Sequence, residues 1–223
     1  MEGGQLGLDC IEFIKTSSSF DGSRFTLEDL LFNEDCVRLE IIKKSENKLS
    51  LSVSKCKYSS FLGTNLKHSE SKGISNTLNP NYGNIIAISV LIKDTLGKYL
   101  LVKRSNKVKV SRNIIGVSAT GSLLWSDLYE SDPIRHSVKK ELSEELSLKV
   151  EDYQISICDF YISKDKLQPV FICNVLVDDL SVLLKETIKL NFENKEVFLV
   201  SDLTEIKNKC TTDTMKYHIM KWS

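Results

Sequence analysis

Three glutamates crowd the stretch Lys139-Lys140-Glu141-Leu142-Ser143-Glu144-Glu145-Leu146-Ser147-Leu148. On a helix, residues three and four apart share a face, so Glu141 stands beside both Glu144 and Glu145. Repulsion between exposed like charges at this spacing costs only about 0.2–0.5 kcal/mol per pair, so a solvated face trading surface pairs with the lysines is one reading. The other is chemical. Carboxylates bordering a buried stripe supply the oxygen ligands that hard divalent cations take, leaving room for water and a substrate phosphate.

The surrounding order favours chemistry. Ser131 or Asp132 stands as a helix cap and Pro133 at the first helical position, a combination that starts helices. Ile134, Val138, Leu142 and Leu146 recur every fourth residue and give the helix one packing stripe, with the glutamates along its border. Before it, residues 113–123 read as a strand broken by Gly116 and Gly121. Residues 85–92 and 99–105 are apolar runs around the turn Asp94-Thr95-Leu96-Gly97-Lys98, which predicts a hairpin. After the helix, 154–163 and 169–177 predict two strands, 181–192 a helix, 196–200 a short strand and 211–222 a closing helix.

The first third has a different texture. Residues 26–33 have Thr26 as a cap and leucines at helical spacing, and predict a short helix. Residues 37–42 and 48–58 alternate apolar and polar side chains around a polar turn, and predict a hairpin. The Ser-, Asn- and Gly-rich stretch 68–84 marks a boundary. A small β-rich unit over 1–82 and a larger α/β domain over 83–223 are expected.

Charge and cysteine content exclude several classes. Thirty Lys and Arg balance thirty Asp and Glu, so no broad field draws the chain to nucleic acid or anionic lipid. No run of about 18 apolar residues occurs, and the N-terminal residues lack the pattern of a secretory leader, so a cytoplasmic protein without membrane contact is expected. Six scattered cysteines form no Cys-x-x-Cys pair and read as buried reduced thiols. His68, His136 and His218 are far apart in sequence and suggest no ligand set.

At the glutamates the chain resembles the Nudix hydrolase family. That signature runs Gly, five residues, Glu, seven residues, then Arg-Glu-aliphatic-x-Glu-Glu-x-Gly-aliphatic. Residues 140–148 fit its second half, with the glutamates and both aliphatic positions in register. Asp132 stands at the first Glu, Ser126 at the first Gly, Lys140 at Arg and Ser147 at the second Gly; Gly121 is an alternative source of the loop turn. Lys140 keeps a charge but loses the planar fork, and Ser147 loses easy access to positive φ. Further upstream, Tyr58-Ser59-Ser60-Phe61-Leu62-Gly63-Thr64-Asn65, followed by Leu101-Val102-Lys103-Arg104-Ser105, is similar to the arrangement in plant and animal Nudix proteins that hydrolyse UDP-sugars.

The resemblance implies a Nudix-type α/β/α sandwich with a mixed sheet. It implies a Mg²⁺- or Mn²⁺-dependent hydrolase of a nucleoside diphosphate linked to another group, with UDP-sugars first and ADP-ribose-like compounds second. Glu141, Glu144 and Glu145 would be metal ligands, with Glu141 or Glu145 taking the proton of the attacking water and Asp132 and Lys140 in support. Arg104 would meet phosphate, against a plain reading as a strand-end surface charge; Thr64 and Asn65 would meet base or sugar, against a reading as turn formers. Trp125 is a stacking candidate or a loop anchor, and Glu193 or Glu196 a further metal-facing carboxylate. The expected partner is a small-molecule nucleotide, not a nucleic acid, and a homodimer is left open. The alternative class is a degenerate Nudix domain acting as a nucleotide sensor or protein-interaction module.

Overall fold

A computed structural model describes residues 10–17, 20, 33–45, 48–67, 78–108 and 110–222. The helix expected over 26–33 lies outside the described residues except for Asn33, as do His68 and most of the 68–84 stretch. The chain is α/β in class with mixed strand pairing, as its sequence implies. It divides into two compact units: residues 1–88, 122–134 and 157–172 form one, and 89–121, 135–156 and 173–223 the other.

In the first unit, β1 (Ile11–Lys15), β2 (Asp35–Lys44) and β3 (Leu49–Lys57) form a sheet ordered β1-β3-β2. The expected hairpin is β2 and β3, antiparallel. Val37, Leu39, Leu51 and Val53 are fully buried, and Cys36 and Arg38 are buried as well, so the first half of β2 is covered on both faces. Strand β1 pairs parallel with β3. A five-residue parallel edge strand leaves no hairpin signal in its own sequence, and it was not anticipated. After β3 come a short helix, α1 (Tyr58–Phe61), and a π-helical turn, Leu62–Leu66.

The strands β4 (Ala87–Asp94), β5 (Tyr99–Arg104), β6 (Ile115–Gly116), β7 (Ala119–Ser122), β8 (Ile155–Ser163), β9 (Gln168–Val177) and β10 (Asn194–Val200) belong to a seven-stranded sheet. Its path is β10-β5-β4-β9-β8, with β6 beside β5 and β7 beside β4. The β4–β5 turn uses Gly97 at φ +87°, a conformation that favours glycine.

Helix α2 (Pro133–Leu146) carries the glutamates. All four residues of its stripe, Ile134, Val138, Leu142 and Leu146, are 1% exposed or less. Burying each contributes about 1.5–3 kcal/mol, far more than the like-charge repulsion on its border. The helix closes through Ser147 at φ +56°, with Ser147 N–H donating to Ser143 O and Leu148 N–H to Leu142 O. Serine thus adopts the left-handed closing position that glycine normally fills.

The helix expected over 181–192 is shorter. Helix α3 (Leu180–Glu186) is capped by Asp179, whose carboxylate accepts from Ser181 and Val182 N–H. Beyond it the backbone serves another element: Lys189 N–H donates to Leu146 O and Asn191 N–H to Glu145 O. These bonds satisfy carbonyls at the end of α2 that have no partner within the helix. Helix α4 (Asp213–Trp222) closes the chain as expected. Its Met215 and Ile219 pack with Leu91, Leu101, Val117, Val200, Leu203 and Ile206.

Candidate active site

The second unit brings together carboxylates from the last turns of α2, the glycine-bearing strand β7, the end of β5 and the start of β10. Glu145 is 2% exposed. Its Oε1 accepts the Thr120 backbone N–H at 2.9 Å, and its Oε2 accepts the Asn194 side-chain N–H at 2.6 Å. Glu141, one helical turn earlier, has a side chain 12% exposed and lies 4.0 Å from Lys140 Nζ. Its carboxyl rests directly on Gly121, where an added Cβ would overlap it. Glycine is required there for space, and not for the turn expected of it, since Gly121 lies inside strand β7.

Burial dominates the electrostatics of this pair. It pushes the Glu141 carboxyl up to about 8, with the Glu145 charge adding to the effect and Lys140 opposing it. Glu145 is pushed up to about 7, again by burial, against the Thr120 N–H and with the nearby Glu193 raising it further. Two adjacent buried carboxylates are costly to ionise without a cation.

Arg104 belongs to the same place and is not a surface charge. Its side chain is 12% exposed, and its Nη2 lies 3.5 Å from Glu193 Oε2. Its Nη1 donates to Thr120 Oγ1 at 3.1 Å, while Nε is buried without a partner among the described residues. Glu144 is exposed on the outer side of the helix. Asp132 stands at the start of the helix, nine residues before Glu141, and Ser126 is exposed in a 3₁₀ turn over Trp125–Tyr129. Among the described residues, no three His, Cys, Asp or Glu side chains are gathered into a complete metal cage. What the site offers is a pair, Glu141 and Glu145, with Glu193 and the Asn194 amide beside it.

That donor set fits a hard divalent cation. Carboxylate oxygens in excess over nearby cations match what Mg²⁺ or Mn²⁺ takes. Softer metals would call for thiolates or imidazoles, and none contributes here.

Thr64 and Asn65, expected to meet base or sugar, are buried in the first unit and hydrogen-bonded there. Thr64 is 6% exposed and Asn65 fully buried. Thr64 Oγ1 donates to Ser60 O and accepts the Gly83 N–H. Asn65 Oδ1 accepts the Asn84 N–H, and its Nδ2 lies within 3.3 Å of Asn84 Oδ1, Lys166 O and Leu167 O. Asn84 and Leu167 have φ of +40° and +50°, so this one amide holds two strained backbone positions in place. Trp125 takes part in a surface cluster: Lys15 Nζ lies 3.8 Å from the Tyr129 ring centre and 5.6 Å from that of Trp125.

No known family profile matches the chain, and no curated protein matches it. Several solved structures are similar to it. DR0079 from Deinococcus radiodurans shares 12% identity over 62% of this chain and 83% of its own, with a TM-score of 0.49. The NUDIX domain of Shewanella oneidensis NrtR, complexed with ADP ribose, shares 12% identity over 65% of this chain and 90% of its own, with a TM-score of 0.47. The MutT protein of Methanosarcina mazei Go1 shares 18% identity over 60% and 91%, with a TM-score of 0.39. At TM-scores below 0.5 and identities below 20%, function is read from the site's own residues.

Asn194 carried no signal in the sequence, because a single asparagine at the start of a strand looks like a turn former. Glu193 was visible only as one of two acidic residues beyond α3. The register shift between Asn194 and Glu196 in the β10–β5 pairing sets where these side chains fall, and alternation alone does not reveal it.

Proposed function

We propose that the chain is a Nudix-type pyrophosphohydrolase, acting on a nucleoside diphosphate linked to another moiety and releasing a nucleoside monophosphate. The observation that carries this reading is the buried Glu141–Glu145 pair, seated on Gly121 and Thr120 with Arg104 alongside. Residues 83–223 are proposed as the hydrolase domain, since Arg104, all three α2 glutamates, Glu193 and Asn194 fall there. UDP-sugars are the first substrate class and ADP-ribose-like compounds the second, on the resemblance of residues 58–65 and 101–105.

Mg²⁺ or Mn²⁺ would be held by Glu141 and Glu145, with Glu144 the third carboxylate proposed, and would neutralise pyrophosphate charge and activate water. Glu145, fixed by two N–H donors, is the rigid ligand. Glu141 or Glu145, once ionised, would accept the proton from the attacking water. Arg104 would meet phosphate oxygens, since a guanidinium can bind two of them at once. Lys140 offsets the charge of Glu141, and Asp132 supports the start of the helix.

A second reading, a nucleotide sensor or interaction module without turnover, is favoured by the exposure of Glu144, which leaves a pair where three carboxylates were expected. One panel separates the two. UDP-sugars, ADP-ribose, dinucleotides and nucleoside triphosphates are incubated with Mg²⁺ or Mn²⁺, with a chelator control, and monophosphate is quantified. Metal-dependent UMP from UDP-glucose supports the hydrolase. No cleavage of any member, together with a raised melting temperature for one of them, supports the sensor.

A further inference from the structure

Asn194 is 5% exposed, and among the described residues only half of its amide is used. Its nitrogen donates to Glu145 Oε2 at 2.6 Å, while Oδ1 is buried without a partner among the described residues. A buried amide oxygen with nothing to accept from costs about 1–3 kcal/mol. Many side chains would brace Glu145 without that cost. We infer that Asn194 is a neutral ligand of the same cation site, its nitrogen fixing Glu145 and its oxygen facing the metal. This rests on the proposed hydrolase reading and adds to it a ligand that the glutamate spacing does not contain.

The chemistry suits an asparagine over an aspartate. Glu141, Glu145 and Glu193 already repel one another, and a further carboxylate would add to that repulsion while losing the N–H that holds Glu145. An amide gives one donor for the carboxylate and one oxygen for a hard cation. The backbone around it is fixed from three sides. Glu193 N–H donates to Asn191 Oδ1 at 2.8 Å, Ser105 N–H donates to Glu193 O at 2.7 Å, and Asn191 N–H donates to Glu145 O at 3.3 Å. The amide therefore reaches the site already oriented.

The test uses the full chain and metals alone, with no nucleotide. Mn²⁺ binding is measured by electron paramagnetic resonance of the free ion and Cd²⁺ binding by calorimetry, in wild type, Asn194→Ala and Asn194→Cys, with circular dichroism confirming the fold. Asn194→Ala is expected to weaken Mn²⁺ binding roughly 10- to 100-fold, the range for lost metal-site partners. Asn194→Cys is expected to raise the preference for Cd²⁺ over Mn²⁺ at least about tenfold relative to wild type, because a thiolate at a ligand position selects the softer ion. A residue that merely braced Glu145 would leave that preference unchanged, and such a result overturns the inference. Should Asn194→Ala not fold, the cysteine variant carries the test. If wild type binds no Mn²⁺ at all, the hydrolase reading falls together with the inference; if it binds and only the cysteine preference stays flat, the inference alone falls.

Discussion

Two buried polar clusters in this protein look alike in composition and differ in what they leave undone. Around Asn65 in the first unit, the amide finds a partner for both of its ends, and two strained residues are held by the result, although the Ser60 hydroxyl nearby is buried without a partner among the described residues. Around Glu145 in the second unit, carboxylates are crowded and desolvated, an amide oxygen and a guanidinium nitrogen are buried without partners among the described residues, and the charges repel. A satisfied cluster stabilises a fold. One left unsatisfied, at a cost in stability, marks where a ligand completes the structure.

The contrast is sharpest at Glu145. Glu145→Gln is expected to lower kcat roughly 10²- to 10⁴-fold, the range for losing an essential proton-handling or metal-holding carboxylate, while raising the melting temperature of the metal-free chain at pH 8 by removing a buried charge. Wild-type turnover in this variant would place the chemistry elsewhere. Asn65→Ala is expected to do the reverse: a loss of about 2–3 kcal/mol in stability from several abandoned partners, seen in denaturant unfolding, with kcat of the folded enzyme unchanged. A drop in kcat with the fold intact would return Asn65 to the active site and dissolve the distinction. The smallest effect belongs to the helix end. Ser147→Gly is expected to add about 0.5–1 kcal/mol, since serine there adopts φ +56°, and to leave metal binding untouched.

Much of the scaffold was legible because it follows period. The fourfold recurrence of Ile134, Val138, Leu142 and Leu146 and the cap before Pro133 defined α2, and apolar runs around Gly97 defined β4 and β5. What escaped depends on partners distant in sequence. Strand β1 exists through its pairing with β3, and α3 stops early because Lys189 and Asn191 bond to carbonyls of α2. In the candidate site, the spacing placed the glutamates on one helix and Arg104 at a strand end. Thr64 and Asn65 read two ways because turn chemistry and ligand chemistry use the same residue types. Asn194 was hidden because only the register of β10 against β5 brings it to Glu145.

The most direct measurement is the number of protons released when Mn²⁺ binds, obtained by calorimetry in buffers of different ionisation enthalpy. Glu141 and Glu145 are held near 8 and 7 in the folded chain, above the ordinary carboxyl value of 4.5, so the metal-free fold is favoured with both protonated. Its stability is therefore greatest below about pH 4.5 with respect to these groups, and is lost as pH rises through 7 to 8. A cation needs them ionised. Binding at pH 6.5 is expected to release about one proton or more per Mn²⁺, falling toward none at pH 9, and Glu145→Gln is expected to reduce the release. Binding without proton release at pH 6.5, or release unchanged in Glu145→Gln, would show that the cation sits away from this pair and would contradict the account.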